Sequence, residues 1–176
     1  TLTVANVETI VGGSTNDTIT LSTRASGVRI DLGAGLDKLT LGAFVNTVTV
    51  SGAETIVGGA SSDTVVLGAE ATGGVVDLGA GNDWLVLSPA GGTLTVANVE
   101  TVTAGTGDDA ITYSAAAAAT IDLGDGADSL TLGNYRNTVT LSGVETIVGG
   151  ASIDTVTLAT QATGTTVDLG AGADKL

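Results

Sequence analysis

Eight aspartates stand just after glycine-containing turns and just before runs rich in β-branched residues: Asp17, Asp37, Asp63, Asp83, Asp109, Asp128, Asp154 and Asp174. Successive members are 20, 26, 20, 26, 19, 26 and 20 residues apart. Two chemistries suit such a series. Aspartate is a common turn residue because its side chain bonds nearby backbone N–H groups. A ladder of like-charged carboxylates, on the other hand, repels itself unless it is screened, protonated or bridged by cations.

Charge balance favours a cation as partner. Nineteen acidic residues face five basic ones, a net charge of −14. Nucleic acid and anionic membranes are therefore poor partners, and metal ions or cationic surfaces are natural ones. No segment approaches the ~18 apolar residues of a membrane span, so no membrane insertion is expected. Catalysis finds little support, because the chain has no His and no Cys. Every carboxylate of interest also belongs to a repeating column instead of a unique cluster, so a non-enzymatic region is expected.

The elements that must hold these aspartates repeat. NVETIVGGSTNDTITL (6–21) returns as GAETIVGGASSDTVVL (52–67), NVETVTAGTGDDAITY (98–113) and GVETIVGGASIDTVTL (143–158). Glu8, Glu54, Glu100 and Glu145 mark periods of 46, 46 and 45 residues. The whole chain, 1–176, reads as one repeat-array segment with super-repeats at about 6–51, 52–97, 98–142 and 143–176, the last incomplete. Each super-repeat holds a second loop: VRIDLGAGLDKLTL (28–41), VVDLGAGNDWLVL (75–87), TIDLGDGADSLTL (120–132) and TVDLGAGADKL (166–176). The 20-residue intervals contain two strand-like stretches. The 26-residue intervals add a third, NTVTV (46–50), TLTV (93–96) or NTVTL (137–141).

Within the strands apolar and polar residues alternate, as in Ile19 and Leu21 against Thr18 and Thr20, which predicts one buried and one wet face. Strands of ~5 residues cannot bury an apolar face alone, so neighbouring turns must stack. An all-β, parallel β-solenoid follows, with about eight stacked turns of alternating ~20 and ~26 residues and a length of roughly 35–40 Å at ~4.8 Å per rung. The alanine run 115–119 occupies the position of the loops STRASG, GAEATG and ATQATG and is too short for an independent helix. It is expected to be a loop. Neither end resembles a polar cap, which suits a piece of a longer array or end-to-end stacking.

Five loops, GAGLD (33–37), GAGND (79–83), GTGDD (105–109), GDGAD (124–128) and GAGAD (170–174), resemble the calcium-binding nonapeptide repeat of RTX (repeats-in-toxin) proteins. GGSTND (12–17), GGASSD (58–63) and GGASID (149–154) keep the first two glycines and carry Thr15, Ser61 and Ser152 where a later one would stand. The resemblance covers essentially the whole chain and implies a right-handed β-roll or β-helix. It also implies Ca²⁺ held between stacked turns by the eight aspartates and by loop carbonyls near Gly13, Gly33, Gly35, Gly59, Gly79, Gly81, Gly105, Gly107, Gly124, Gly126, Gly150, Gly170 and Gly172. Calcium takes 6–8 oxygen ligands, and glycines let carbonyls converge. Thr15, Ser61 and Ser152 would resist a positive φ by ~1 kcal/mol each, so the alternate sites are expected to be weaker or empty. The spacing is expected to place all the loops along one edge of the coil.

By the same resemblance the function is a calcium-stabilised rod in a secreted or cell-surface bacterial protein: an adhesin stalk, surface-layer protein or matrix filament. Further copies, end to end or side by side, would be its partners besides calcium. An accessory RTX module of a secreted enzyme is the alternative. Ice binding is a third reading, prompted by the outward Thr-x-Thr pairs at Thr18, Thr47, Thr93, Thr138 and Thr155. Asp31, Asp77, Asp122 and Asp168 form a second acidic column whose simplest reading is a solvated face. For the four period-marking glutamates, solubility or edge protection suffices. Trp84 replaces small or polar residues and is expected outside, and Tyr113 aligns with inward Leu21.

Overall fold

A computed structural model describes residues 1–160 and 164–176. The centre of the loop ATQATG, 161–163, lies outside the described residues. The strands run in chain order from β1 (Leu2–Val4), β2 (Thr9–Gly13), β3 (Thr18–Leu21), β4 (Ser26–Gly33), β5 (Lys38–Thr40) and β6 (Thr47–Ser51). Next come β7 (Thr55–Gly59), β8 (Thr64–Leu67), β9 (Ala71–Gly79), β10 (Trp84–Val86) and β11 (Gly92–Ala97). They continue through β12 (Thr101–Thr103), β13 (Asp109–Tyr113), β14 (Ala118–Asp122), β15 (Ser129–Thr131) and β16 (Asn137–Ser142) to β17 (Thr146–Val148), β18 (Asp154–Leu158) and β19 (Thr166–Asp168). Among the described residues there is no helix. The alanine run splits: Ala118 and Ala119 begin β14, where Ala119 and Ile121 turn inward, and only 115–117 remain loop.

Odd-numbered strands form one parallel sheet of ten and even-numbered strands a second of nine, so successive strands lie in opposite sheets and every second strand closes a turn. Registered pairing joins Thr18, Lys38, Thr55, Val75, Thr95, Thr112, Thr131, Val148 and Asp168 into one outward rank. These eight steps are eight turns of a parallel β-solenoid. Between the facing sheets lies a single apolar file that includes Ile30, Leu39, Leu85, Ile121, Leu130 and Ile147. The period-2 alternation of each strand supplies this file, and no strand could bury it without the next rung.

The turns are 17, 19 or 20 residues long: Thr18 pairs with Lys38, Lys38 with Thr55, and Ala110 with Ser129. An alternation of 20- and 26-residue turns is therefore replaced by a different geometry. A 20-residue interval between aspartates contains two strands and makes a whole turn. A 26-residue interval contains three, and three strands are one turn and a half. β7 is the fifth strand after β2, and the two share the sequence TIVGG and lie in opposite sheets.

Tyr113 is fully buried, and its hydroxyl donates to the Val99 carbonyl at 3.1 Å. Its counterparts Leu21 and Leu67 are smaller and line cavities, the one at Leu67 about 60 Å³ and bounded also by Val50 and Gly74. Replacing Tyr113 with Leu should open the same space and cost about 2 kcal/mol. Tyr113→Phe should cost about 1 kcal/mol, the value of one hydrogen bond. Urea unfolding followed by circular dichroism measures both.

Candidate functional site

The half-integer turn count decides where the aspartates stand. Asp17, Asp37, Asp109 and Asp128 lie in turns that enter the ten-stranded sheet. Asp63, Asp83, Asp154 and Asp174 lie in turns that enter the nine-stranded one, at the opposite edge. A single-edge column is thus corrected to two edges, because each 26-residue interval shifts the chain by half a turn.

At both edges the acids are linked from rung to rung. The Asp17 N–H donates to Asp37 Oδ1 (2.6 Å), and the Asp37 N–H to Glu54 Oε2 (2.7 Å). The opposite edge repeats this one rung longer. The Asn46 N–H donates to Asp63 Oδ1 (2.9 Å), the Asp63 N–H to Asp83 Oδ1 (2.6 Å), and the Asp83 N–H to Glu100 Oε2 (2.8 Å). Further along, Asp109 donates to Asp128 (2.7 Å) and Asp128 to Glu145 (2.9 Å), while Asn137 donates to Asp154 (3.3 Å) and Asp154 to Asp174 (2.9 Å). Each acid thereby caps a backbone donor that the loop leaves outside the β ladder.

Sequence reasoning missed the glutamates and the asparagines as members of these columns. Glu54, Glu100 and Glu145 each stand 17 residues after a second-loop aspartate, and Asn46 and Asn137 each 17 before a first-loop one. That constant 17, one short turn, was the available signal. Asp31, Asp122 and Asp168 are exposed on the outer faces as expected, whereas Asp77 is half-buried. Trp84 is exposed and its indole N–H donates to Thr103 Oγ1 (3.1 Å).

The two loop types differ in what they do with the second carboxylate oxygen. In the first type it turns back to its own loop: the N–H groups of Gly13, Gly59 and Gly150 donate to Oδ2 of Asp17, Asp63 and Asp154 at 3.3–3.4 Å. Thr15, Ser61 and Ser152 do not take up positive φ, so the strain expected there is not incurred. In the second type the paired glycines are required. Gly35, Gly81, Gly126 and Gly172 have φ of 152–159°, and a Cβ on Gly35 would lie 2.9 Å from Asp37 Oδ1. Gly33, Gly79, Gly124 and Gly170 are left-handed, and a Cβ on each would meet the carbonyl of Gly13, Gly59, Gly105 or Gly150 one rung back. With no room for a side chain, Asp37, Asp83 and Asp128 are buried and their Oδ2 atoms have no hydrogen-bond partner; both oxygens of buried Asp109 lack one.

The cost shows in their acidity. Burial, then the Glu100 and Asp63 charges, pushes Asp83 from 3.8 up to about 6 against the Asp63 N–H, which pulls it down. Burial, then the Asp128 and Asp108 charges, pushes Asp109 up to about 6 against the Gly92 N–H, which pulls it down. Burial raises Asp128 too, and Glu145, Asp108 and Asp125 add to it.

The family described as the RTX calcium-binding nonapeptide repeat (4 copies) matches residues 5–22 and 49–70. The match covers those two stretches, both of them loops of the first type, and less than half of the chain. No curated protein and no solved structure matched the chain. RTX repeats of this description are calcium-binding, which implies Ca²⁺ as the ion of this chain. The residues fit that ion: unpartnered buried carboxylate oxygens stand among loop carbonyls, an all-oxygen donor set of the kind Ca²⁺ prefers. Among the described residues no three acidic side chains converge on one point, so carbonyls have to complete any shell.

Two outcomes follow for the metal-free protein. An acid whose pKa is raised by folding holds its proton more tightly in the folded state. The contribution of Asp83 and Asp109 is therefore fully present below about 4 and is lost as pH rises through about 6. In chelator, melting should occur at a higher temperature at pH 5 than at pH 7.5, as differential scanning calorimetry would show. Asn137→Ala removes the amide that holds Asp154 Oδ1 (2.7 Å), the Tyr135 carbonyl (2.8 Å) and the Gly133 carbonyl (3.2 Å). It should cost about 3 kcal/mol in urea unfolding, since buried partners are left unpaired.

Proposed function

We propose that this chain is a structural, non-enzymatic stretch of a secreted or cell-surface bacterial protein: a rod hardened by calcium, as in an adhesin stalk, surface layer or matrix filament. The observation that carries this reading is the pair of acidic columns whose buried aspartates keep unpartnered oxygens. In the RTX reading these oxygens hold Ca²⁺, with the other loop aspartates and the carbonyls of the neighbouring glycine turns completing the ligand set. The ion neutralises charge that the fold has removed from water, so its binding energy is added to folding. A chain of this kind is stiffest where calcium is plentiful, which suits the exterior of a cell. Stacking of further copies end to end or side by side fits the same role, because parallel strands at a solenoid end present unpaired N–H and C=O groups.

An accessory RTX module beside a secreted enzyme is the second reading, supported by the same loops. A third, ice binding, is weakened by the outward rank that pairs Thr64 with Trp84 and Trp84 with Thr101, since the indole interrupts a regular threonine surface.

The test is a calcium titration of residues 1–176 after chelation, with far-UV circular dichroism and Trp84 fluorescence recorded together. Calcium should raise the melting temperature or convert a disordered signal to a β signal. A fully β-folded chelated protein that neither binds calcium nor gains stability from it would overturn the metal-hardened rod.

A further inference from the structure

The eight loops are not equivalent toward a cation. At Asp63 the rung before supplies Asn46, whose backbone N–H and Nδ2 both donate to Oδ1 at 2.9 Å, and Gly59 N–H reaches Oδ2 at 3.4 Å. Asp154 is held in the same way by Asn137 and Gly150, with Nδ2 at 2.7 Å. In both places every carboxylate oxygen has a donor, and an amide stands where positive charge would otherwise be needed.

The corresponding residue before Asp109 is Gly92, which has no side-chain amide; its N–H donates to the Asp108 carbonyl at 3.2 Å and also faces the Asp109 carboxylate, where it only partly offsets burial. Asp109 is 1% exposed, and neither of its oxygens has a partner. One rung on, Asp128 spends Oδ1 on the Asp109 N–H (2.7 Å) and leaves Oδ2 unpartnered. The loop pair 105–109 and 124–128 therefore holds three buried, unpartnered carboxylate oxygens, against one at Asp37 and one at Asp83.

The same pair carries two acids that its counterparts lack. Asp108 replaces Asn16, Ser62 and Ile153, and Asp125 replaces Ala34, Ala80 and Ala171. Asp108 Oδ1 accepts the Ala127 N–H at 2.9 Å, which ties it across to the next rung. Between Lys38 and Arg136 the sequence has no basic residue to offset this charge. A buried carboxylate without a donor is costly unless it is neutralised or paired.

We infer that the tightest cation site of this chain lies between the loops 105–109 and 124–128, and that the amides of Asn46 and Asn137 take the place of an ion at Asp63 and Asp154. This rests on the calcium reading above and adds an order of loading to it: a divalent, oxygen-seeking ion fills the Asp109–Asp128 pair first. Asparagine at the position of Gly92 marks a capped loop, and glycine there marks a loading one.

Calcium binding to the 176-residue chain by isothermal titration calorimetry, with unfolding recorded alongside, tests the assignment. Asp109→Asn should weaken the tightest site at least tenfold, and so should the double variant Asp108→Asn with Asp125→Ala, whose positions are exposed and do not threaten the fold. Asp154→Asn should leave that site's affinity within twofold while lowering stability. Equal loss of calcium affinity in Asp109→Asn and Asp154→Asn would overturn the order of loading and leave the calcium rod standing. A tight site that survives both Asp109→Asn and the double variant would overturn it as well. No calcium binding by the unaltered chain would overturn both readings together.

Discussion

The structure depends on an acid side chain accepting the backbone N–H of the rung before it. A parallel solenoid satisfies its straight segments through the β ladder, but each corner leaves donors facing inward with no strand to receive them. Here the corners are buried enough that water is not a substitute: six of the eight turn aspartates are essentially inaccessible. Placing a carboxylate beneath each such donor satisfies the backbone with a charge-assisted bond. It also commits the protein to stacked negative charge in a poorly solvated place. The raised pKa values of Asp83 and Asp109 follow from that commitment.

Each corner column ends in a way that limits the charge. The two complete acid runs begin at Asn46 and at Gly92, proceed through two aspartates and close with Glu100 and Glu145, whose longer side chains reach the donor of the rung before. The next corner is uncharged or nearly so, as in the alanine-rich turn 115–117. Repulsion along an edge is thereby broken into short clusters. Lateral screening by salt then acts on each cluster and not on a continuous rod of charge.

Much of this was legible in the residues. Alternation at Ile19, Leu21, Ile30 and Leu32 was sufficient for strands with one buried face, and the 46-residue period for stacking. The inward Tyr113 and outward Trp84 followed from alignment alone. What was not legible was the phase of the coil. The third strand in each long interval could be seen, but whether it lengthened a turn or added half of one depends on which strands pair, and pairing is a long-range property. The edge assignment of every aspartate hung on that choice. The roles of Asn46 and Glu54 were hidden for the same reason, since a residue 17 positions away is a neighbour only once the turn length is fixed. One local signal was readable and passed over: Asn6, Gly52, Asn98 and Gly143 share a position and a positive φ, which only those two residue types adopt readily.

An odd number of strands per period has a consequence for how such a chain can change in length. Adding or deleting one 46-residue unit does not simply lengthen or shorten the coil, because everything beyond it is turned through half a revolution. An element carried further along would then point to the opposite side. Only units gained or lost in pairs, five whole revolutions at a time, preserve the direction in which distant parts face. Selection on what the rod presents at its far end would therefore count units by twos.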